Sequence, residues 1–301
     1  MSGYLDQAYA ESLSEFGTPR LLEQCRGWLL QREIAQSNER DTMGCYPLFA
    51  CEKWSYLKSD LQQLDGHLIS VSLVTDPFGE FDVEYLRDCF PDVMRPFKQH
   101  FVTDLTQPLE SFVHPHHLRN ARKASRQVEV EHCIEPLKFL DDWVNLYQTL
   151  IDRHAITGLA AFSRASFAAQ LSVPGINVFR ASESGAAVGM LLWYEQGDRA
   201  YYHLGAYSER GYEIGASFAL FDYSLRHFCS RQLKWLNLGA GAGTGNSDSG
   251  LTRFKQGWSN GVRTAYFCGR IFARDKYRQL VAATNVHATD YFPAYRLGEF
   301  K

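Results

Sequence analysis

Apolar and polar positions alternate in short blocks along this chain, and the period of each block predicts its element. Near the N-terminus, residues 20–35 read as a helix. His67–Thr75 alternates as a strand, and Asp76-Pro77-Phe78-Gly79 supplies the turn residues that end it. Residues 83–97 read as a helix interrupted by Pro91, and 99–105 as another strand. A helix is expected over 116–126. From Gln127 the pattern sharpens: a strand to Ile134, then an amphipathic helix over 137–153 with Leu137, Leu140, Val144, Tyr147 and Ile151 along one stripe. A second helix is expected over Phe162–Leu171. Strands at 176–181, 186–195 and 199–207 are joined by Glu183-Ser184-Gly185 and Gln196-Gly197-Asp198, both hairpin-like turns. A helix over 214–230 buries Phe218, Phe221, Leu225 and Phe228. The strand Leu233–Leu238 follows, then a glycine-rich loop, a strand at 262–272 and a helix at 274–282.

Composition narrows the class. The 301 residues are 45% hydrophobic and 14% aromatic, enough for a sizeable core in one large domain or two small ones. The formal net charge of −3 means that binding to a polyanion must come from a local basic patch. The seven cysteines, at 25, 45, 51, 89, 133, 229 and 268, contain no Cys-x-x-Cys pair, which speaks against a disulfide framework or a zinc site. The N-terminus lacks the layout of a signal peptide, and no apolar run approaches the ~20 residues of a membrane helix. The expectation is a soluble, cytoplasmic protein with no metal and no integral membrane segment.

Three stretches carry candidate chemistry. The first is 233–258, where an apolar run ends at Gly239 and a loop bearing Gly239, Gly241, Gly243, Gly245 and Gly250 leads to Arg253, Phe254 and Lys255. Glycines let backbone approach a ligand closely, and a cation just beyond them is placed to stabilise a developing oxyanion. The second is the expected helix 116–126. There Arg119, Arg122, Lys123 and Arg126 fall at i, i+3, i+4 and i+7 and so share one face. That stripe is either a solvated surface or the seat of an anion. The third is the strand carrying Tyr201, Tyr202 and His203. Alternation puts Tyr202 on one face and its two neighbours on the other, and His203 has a suitable ordinary pKa for accepting a proton. Asp76 and Asp248, in loops that follow strands, are alternative bases. No serine or cysteine nucleophile motif is visible.

The order strand, two helices, three-stranded meander, loop, helix, strand is similar to that of a GNAT acyltransferase domain. In such enzymes the loop before the helix carries Arg/Gln-x-x-Gly-x-Gly/Ala. Here Ser208–Ser217 resembles it through Arg210, Gly211, Gly215, Ala216 and Ser217, with one residue too many between Arg210 and Gly215. Gly250-Leu-Thr-Arg-Phe-Lys-Gln-Gly-Trp258, Tyr291-Phe-Pro-Ala-Tyr-Arg296 and Arg119-Asn-Ala-Arg122-Lys123-Ala124 resemble the FemAB-like (BioF2-like) branch of that superfamily, over most of residues 115–296.

The resemblance implies an α/β fold of tandem GNAT-like halves, with mixed sheets flanked by helices. Residues 1–112 would be a degenerate first half and 113–301 the acyltransferase half. It implies direct transfer of an acyl group to an amine or hydroxyl of a small molecule, sugar or envelope precursor. Acyl-CoA would be the donor, and no cofactor would be permanently bound. Aminoacyl-tRNA is the alternative donor, and a catalytically inactive binding or scaffold protein the alternative of another class; no DNA partner is implied. Lys255 would stabilise the oxyanion, with Phe254 positioning it, and His203 and Tyr202 would lie on the acceptor strand. Arg210, Gly211, Gly215, Ala216 and Ser217, with Arg119, Arg122 and Lys123, would hold donor phosphates.

Overall fold

The computed structural model describes residues 1–241, 250–284 and 289–299. In chain order the elements are α1 (Gln7–Glu11), β1 (Thr18–Leu22), β2 (Gly27–Glu33), β3 (Arg40–Gly44), α2 (Leu57–Gln63), β4 (Ser70–Val74), α3 (Val83–Cys89) and β5 (Val93–Asp104). Then follow α4 (Leu109–Phe112), α5 (Pro115–Ala124), β6 (Glu129–His132), α6 (Leu140–His154), α7 (Arg164–Gln170), β7 (Ile176–Glu183), β8 (Ala186–Gln196) and β9 (Arg199–Tyr207). Last come α8 (Glu209–Ile214), α9 (Ala216–Ser230), β10 (Trp235–Ala240), α10 (Gly250–Gln256), β11 (Gly261–Ile271) and α11 (Arg274–Ala283). They form two compact units, one of Tyr4–Lys98 with Thr264–Lys301 and the other of Met1–Gly3 with Gln99–Arg263.

In the first unit the strand order is β1-β2-β3-β4-β11, antiparallel except where β3 lies parallel to β4. The helix expected over 20–35 is instead the hairpin β1–β2. Leu21, Leu22, Leu29 and Leu30 fit either period. The turn decides: Arg26 takes a positive φ of 58°, and a Cβ on Gly27 would sit 2.5 Å from the Phe49 ring. The helix expected to reach 97 ends at Cys89, and 93–98 belongs to β5. Pro91 and Pro96 both remove amide donors that a helix would need. Residues 264–301 close this unit. The Arg296 guanidinium donates to both Asp41 oxygens, at 2.6 and 2.8 Å, and to the Glu33 carbonyl; Tyr295 Oη donates to Asp41 at 2.8 Å. Glu299 pairs with both Arg296 and Arg32. The C-terminal Tyr-Arg pair therefore anchors the chain to β3.

In the second unit the order is β5-β10-β9-β8-β7-β6, antiparallel except for the β9–β10 pair. The helix and hairpins expected from Gln127 onward form there, but α6 buries Trp143, Leu146 and Tyr147; of the expected stripe only Tyr147 is buried, and Leu137 is exposed ahead of the helix. The 214–230 helix is split, because Gly215 adopts φ 70° and ends α8 as α9 begins. α5 ends at Ala124, so Arg126 lies beyond the helix that was to carry it. α5 and α9 pack on one face through Ala121, Ala124, Ala216, Ala219, Leu220 and the aromatic residues of the core. Small side chains at these positions let the helices lie close to each other.

Candidate functional site

The parallel ladder of β9 and β10 is short. It pairs Trp235 with Arg199, Leu236 with Ala200 and Asn237 with Tyr201, and then stops. β9 nevertheless runs on to Tyr207 and β10 to Ala240. Gly239, at φ 75°, shifts the register of β10 against β5, so the two parallel strands part beyond Asn237. Among the described residues, one edge of β9 at this opening then has no strand partner along 202–207.

Lys255 reaches this opening from α10. It is only 6% exposed, and its Nζ donates to the Ala240 carbonyl at 2.7 Å. The same nitrogen lies 5.3 Å from the centre of the Tyr202 ring, and a Cβ added to Gly239 would stand 3.0 Å from it. An alanine at 239 would crowd the ammonium as well as strain the backbone. Tyr202 rests on Trp193 and Phe221, and its hydroxyl passes over Gly205, where a Cβ would be 2.2 Å away. Burial raises the Tyr202 hydroxyl above its ordinary pKa, so it is a neutral donor near neutral pH.

α10 is held by α5. His117 Nε2 bonds the Phe254 carbonyl at 2.9 Å, and the His114 amide donates to the Gly257 carbonyl at 2.9 Å. Because a carbonyl only accepts, His117 carries its proton on Nε2. Burial pulls this imidazole below its ordinary pKa, opposed by the Phe254 carbonyl and reinforced by His114 and His116. Gly257 leaves room for the ring, since a Cβ would lie 2.4 Å from His117 Cε1 and Nε2. The Phe254 ring packs with His117, Phe218, Phe221 and Trp258, and the aromatic face under Lys255 is that of Tyr202. Phe254 thus seats the helix that carries Lys255 in an aromatic cluster.

His203 is not brought to Lys255. It is the extra residue of a bulge in β9 and packs against Tyr194 and Phe162, with Nε2 3.1 Å from Gln170 Oε1 on α7. Tyr202 packs on the other side, toward α9. Burial drives the His203 imidazole down to about 3, so it is a neutral core residue and a weak base. Asp76 is also separate, in the other unit, and caps its own turn by accepting from the Phe78 amide at 2.9 Å. Asp248, Gly243 and Gly245 lie outside the described residues.

The 208–217 segment is helical. Ser208 caps α8 by accepting from the Gly211 amide at 3.1 Å, and a Cβ on Gly211 would collide with the Val188 carbonyl at 1.9 Å. Arg210 is exposed and engaged by Glu183, at 2.7 and 2.8 Å, and by Glu213 at 3.2 Å. Gly215, Ala216 and Ser217 form the junction from which the fifteen-residue α9 starts, with its N-terminal amides directed away from the helix. Arg119, Arg122 and Lys123 are exposed on α5, and Arg126 is exposed beyond it. Among the described residues none of the four forms an ion pair.

Two buried polar residues beside the opening escaped the sequence reading. His100 lies across from Ala240 in the β5–β10 ladder, and its Nδ1 is 3.0 Å from Asn237 Oδ1. Asn237 Oδ1 also accepts from the Gly239 amide at 2.9 Å. The available signal was Asn237, a polar residue between Leu236 and Leu238 in the expected strand Leu233–Leu238, whose only other polar residue is Lys234.

Residues 115–256 match the family model described as an acetyltransferase (GNAT) domain. Over the matched residues the fold is GNAT-like, a mixed sheet flanked by helices. Among solved structures, the crystal structure of FemX is similar at a TM-score of 0.67 and 11% identity, over 91% of this chain and 93% of that one. The C-terminal domain of a putative lysylphosphatidylglycerol synthetase from Agrobacterium fabrum is similar at 0.61 and 14%, over 93% and 91%. L-PGS from Bacillus licheniformis is similar at 0.56 and 13%, over 92% and 94%. These likenesses concern the fold. A comparison with curated proteins gives no match. No described helix is long and apolar enough to cross a membrane, and the described residues contain no cluster of three or more His, Cys, Asp or Glu that could hold a metal ion.

Proposed function

We propose that this chain is an acyltransferase that passes an acyl group from acyl-CoA directly to an amine or hydroxyl. The observation that carries the reading is the buried Lys255 ammonium at the parting of β9 and β10. The unpartnered edge of β9 offers backbone groups to the amide-bearing arm of the donor. The acyl carbonyl then sits beside Lys255, whose positive charge stabilises the oxygen as it gains charge. The donor phosphates go to the start of α9 at Gly215, Ala216 and Ser217, where a helix N-terminus favours an anion. Gly211 supports that turn by letting α8 lie against β8. Arg210 joins only by exchanging Glu183 or Glu213 for phosphate. The acceptor classes, from small molecules and sugars to envelope precursors, rest on family resemblance, and a cytoplasmic location rests on the cysteine pattern of the sequence.

Calorimetric titration with acetyl-CoA tests the donor. Wild type should bind, and Gly215→Asp should not, because the variant sets a carboxylate at the anion site. Asp tolerates the left-handed backbone there better than most residues, so the fold should persist. No binding to wild type at millimolar CoA would overturn the reading.

The exposed cations Arg119, Arg122, Lys123 and Arg126, which form no ion pair among the described residues, favour a second reading in which the donor is an aminoacyl-tRNA. Its binding would weaken steeply with salt and fall in the double variant Arg122→Glu, Lys123→Glu. Affinity unchanged in that variant would leave the stripe a solvated surface. Against this reading, the longest described helices have fifteen residues, so they show no long helical arm for RNA.

A further inference from the structure

Gly239 adopts φ 75°, but a glycine fits a straight strand as well, so its presence alone does not bend β10. Asn237 supplies the constraint. Its Oδ1 accepts from the Gly239 amide at 2.9 Å, an Asx turn in which a side-chain carbonyl stands in for a backbone one and folds the chain back over two residues. The same oxygen lies 3.0 Å from His100 Nδ1 on β5, a contact that keeps the amide in the rotamer facing Gly239.

The turn stands where the strands separate. Asn237 is the last residue of β10 in register with β9, opposite Tyr201, and the register against β5 slips between Asn237 and Gly239. Leu236 and Leu238 join the core that includes α9, so Asn237 lies on the other face of the sheet, away from Tyr202. Its side chain therefore acts on the opening through the backbone and not by contact with a ligand there. Only 2% of Asn237 is exposed, and burying an amide is unfavourable unless it is bonded, so an apolar residue would serve a straight strand better. Three residues on, the Ala240 carbonyl accepts from Lys255 Nζ at 2.7 Å.

Resting on the acyl-transfer reading, we propose that Asn237 is a positioning residue whose Asx turn at Gly239 parts β10 from β9, opening the edge of β9 to the donor and aiming the Ala240 carbonyl at Lys255. One side chain thereby sets donor binding and the place of the ammonium together. Without the turn, Gly239 is free to continue the strand, and β10 can pair with β9 beyond residue 237. The edge offered to the donor is then taken up by the protein itself. The Ala240 carbonyl shifts with the strand, and Lys255 shifts with the carbonyl.

The test is a joint loss that removing the ammonium itself would not give. In initial-rate acyl transfer by the full chain, Asn237→Leu should lower kcat by about 10²-fold, the penalty for misplacing reacting groups by about 1 Å, and should weaken acetyl-CoA binding in calorimetry by about tenfold or more. Asn237→Asp keeps an oxygen that accepts from the Gly239 amide, and should bring both quantities back to within about threefold of wild type. A folded Asn237→Leu that binds acetyl-CoA as wild type does overturns the proposal and leaves the acyltransferase reading standing. So does an Asn237→Asp as impaired as the leucine variant. Should Asn237→Leu fail to fold, the wild-type chain decides. Its nuclear magnetic resonance spectra should show a coupling across the hydrogen bond from the Gly239 amide to the Asn237 side-chain carbonyl carbon, and absence of that coupling overturns the proposal. Failure of wild type to bind or transfer from CoA overturns both.

Discussion

Replacing Lys255 with methionine keeps most of the buried stem and removes the N–H donors. The structure separates two consequences. First, a missing oxyanion donor costs about 2.7–4 kcal/mol of transition-state stabilisation, so kcat should fall by about 10²–10³-fold. KM should change little, because the contact strengthens only as charge develops. Second, Lys255 is buried and bonded to Ala240 at 2.7 Å, so its loss also affects the fold. The Ala240 carbonyl loses a charged donor, worth about 1–3 kcal/mol when the group stays buried. The methionine swap itself adds under about 1.5 kcal/mol. Thermal unfolding should therefore shift down by several degrees. Lys255→Arg should rescue the rate only in part, since the planar fork cannot take the place of a compact ammonium between Ala240, Gly239 and the Tyr202 ring. The assay is initial-rate acyl transfer at a temperature where circular dichroism shows every variant folded. A rate for Lys255→Met within threefold of wild type would refute the oxyanion role, because that is well under the 1.4 kcal/mol that corresponds to tenfold.

Gly257→Ala should destabilise by about 2–5 kcal/mol, from overpacking against the His117 ring 2.4 Å away and loss of its bond to Phe254; a change in chemical denaturation under 0.5 kcal/mol would show that α5 does not clamp α10. Asp41→Asn should cost about 3–5 kcal/mol, since it removes the buried carboxylate of Arg296 and leaves only the more exposed Glu299 to pair with it; an unchanged melting temperature would contradict the anchoring role of the C-terminal segment. Burial holds His203 near 3, well below the ordinary unfolded value of about 6.5, so the unfolded chain binds its proton first. Its contribution is full above about pH 6.5 and is lost as pH falls toward 3. His203→Gln should therefore flatten the decline of stability between pH 6 and pH 4, and equal slopes in the two proteins would argue against a buried neutral ring.

The stretch from Gln127 to Ala240 was legible because each element there has a clean period and a turn that ends it. The segment 20–35 was not, because spacing alone cannot tell a hairpin from a helix when apolar residues fall at 21, 22, 29 and 30. Lys255 could be singled out from its motif, but its burial could not. That depends on the Ala240 carbonyl and the Tyr202 ring, which the chain brings together from far apart. His203 met every local criterion for a base, yet it is buried against Gln170, Tyr194 and Phe162 on the face opposite Tyr202. His100 and Asn237 went unnoticed because their pairing is a register between distant strands. The assignment of 264–301 to the compact unit that starts at Tyr4 was equally hidden, since Asp41 and Arg296 are 255 residues apart in sequence.

That last arrangement sets an order of events on the ribosome. The segment 4–98 emerges first but lacks β11 and the Tyr295–Arg296 anchor, so it must wait through synthesis of the whole stretch 99–263. At ~5–20 residues per second the delay is about 10–30 s. The later-made unit holds all its own strands once Arg263 is out, and it can complete its core while the earlier one is still open. Biogenesis therefore runs opposite to chain order, and the half-built first unit, with β4 lacking its β11 neighbour, is the species that chaperones would meet.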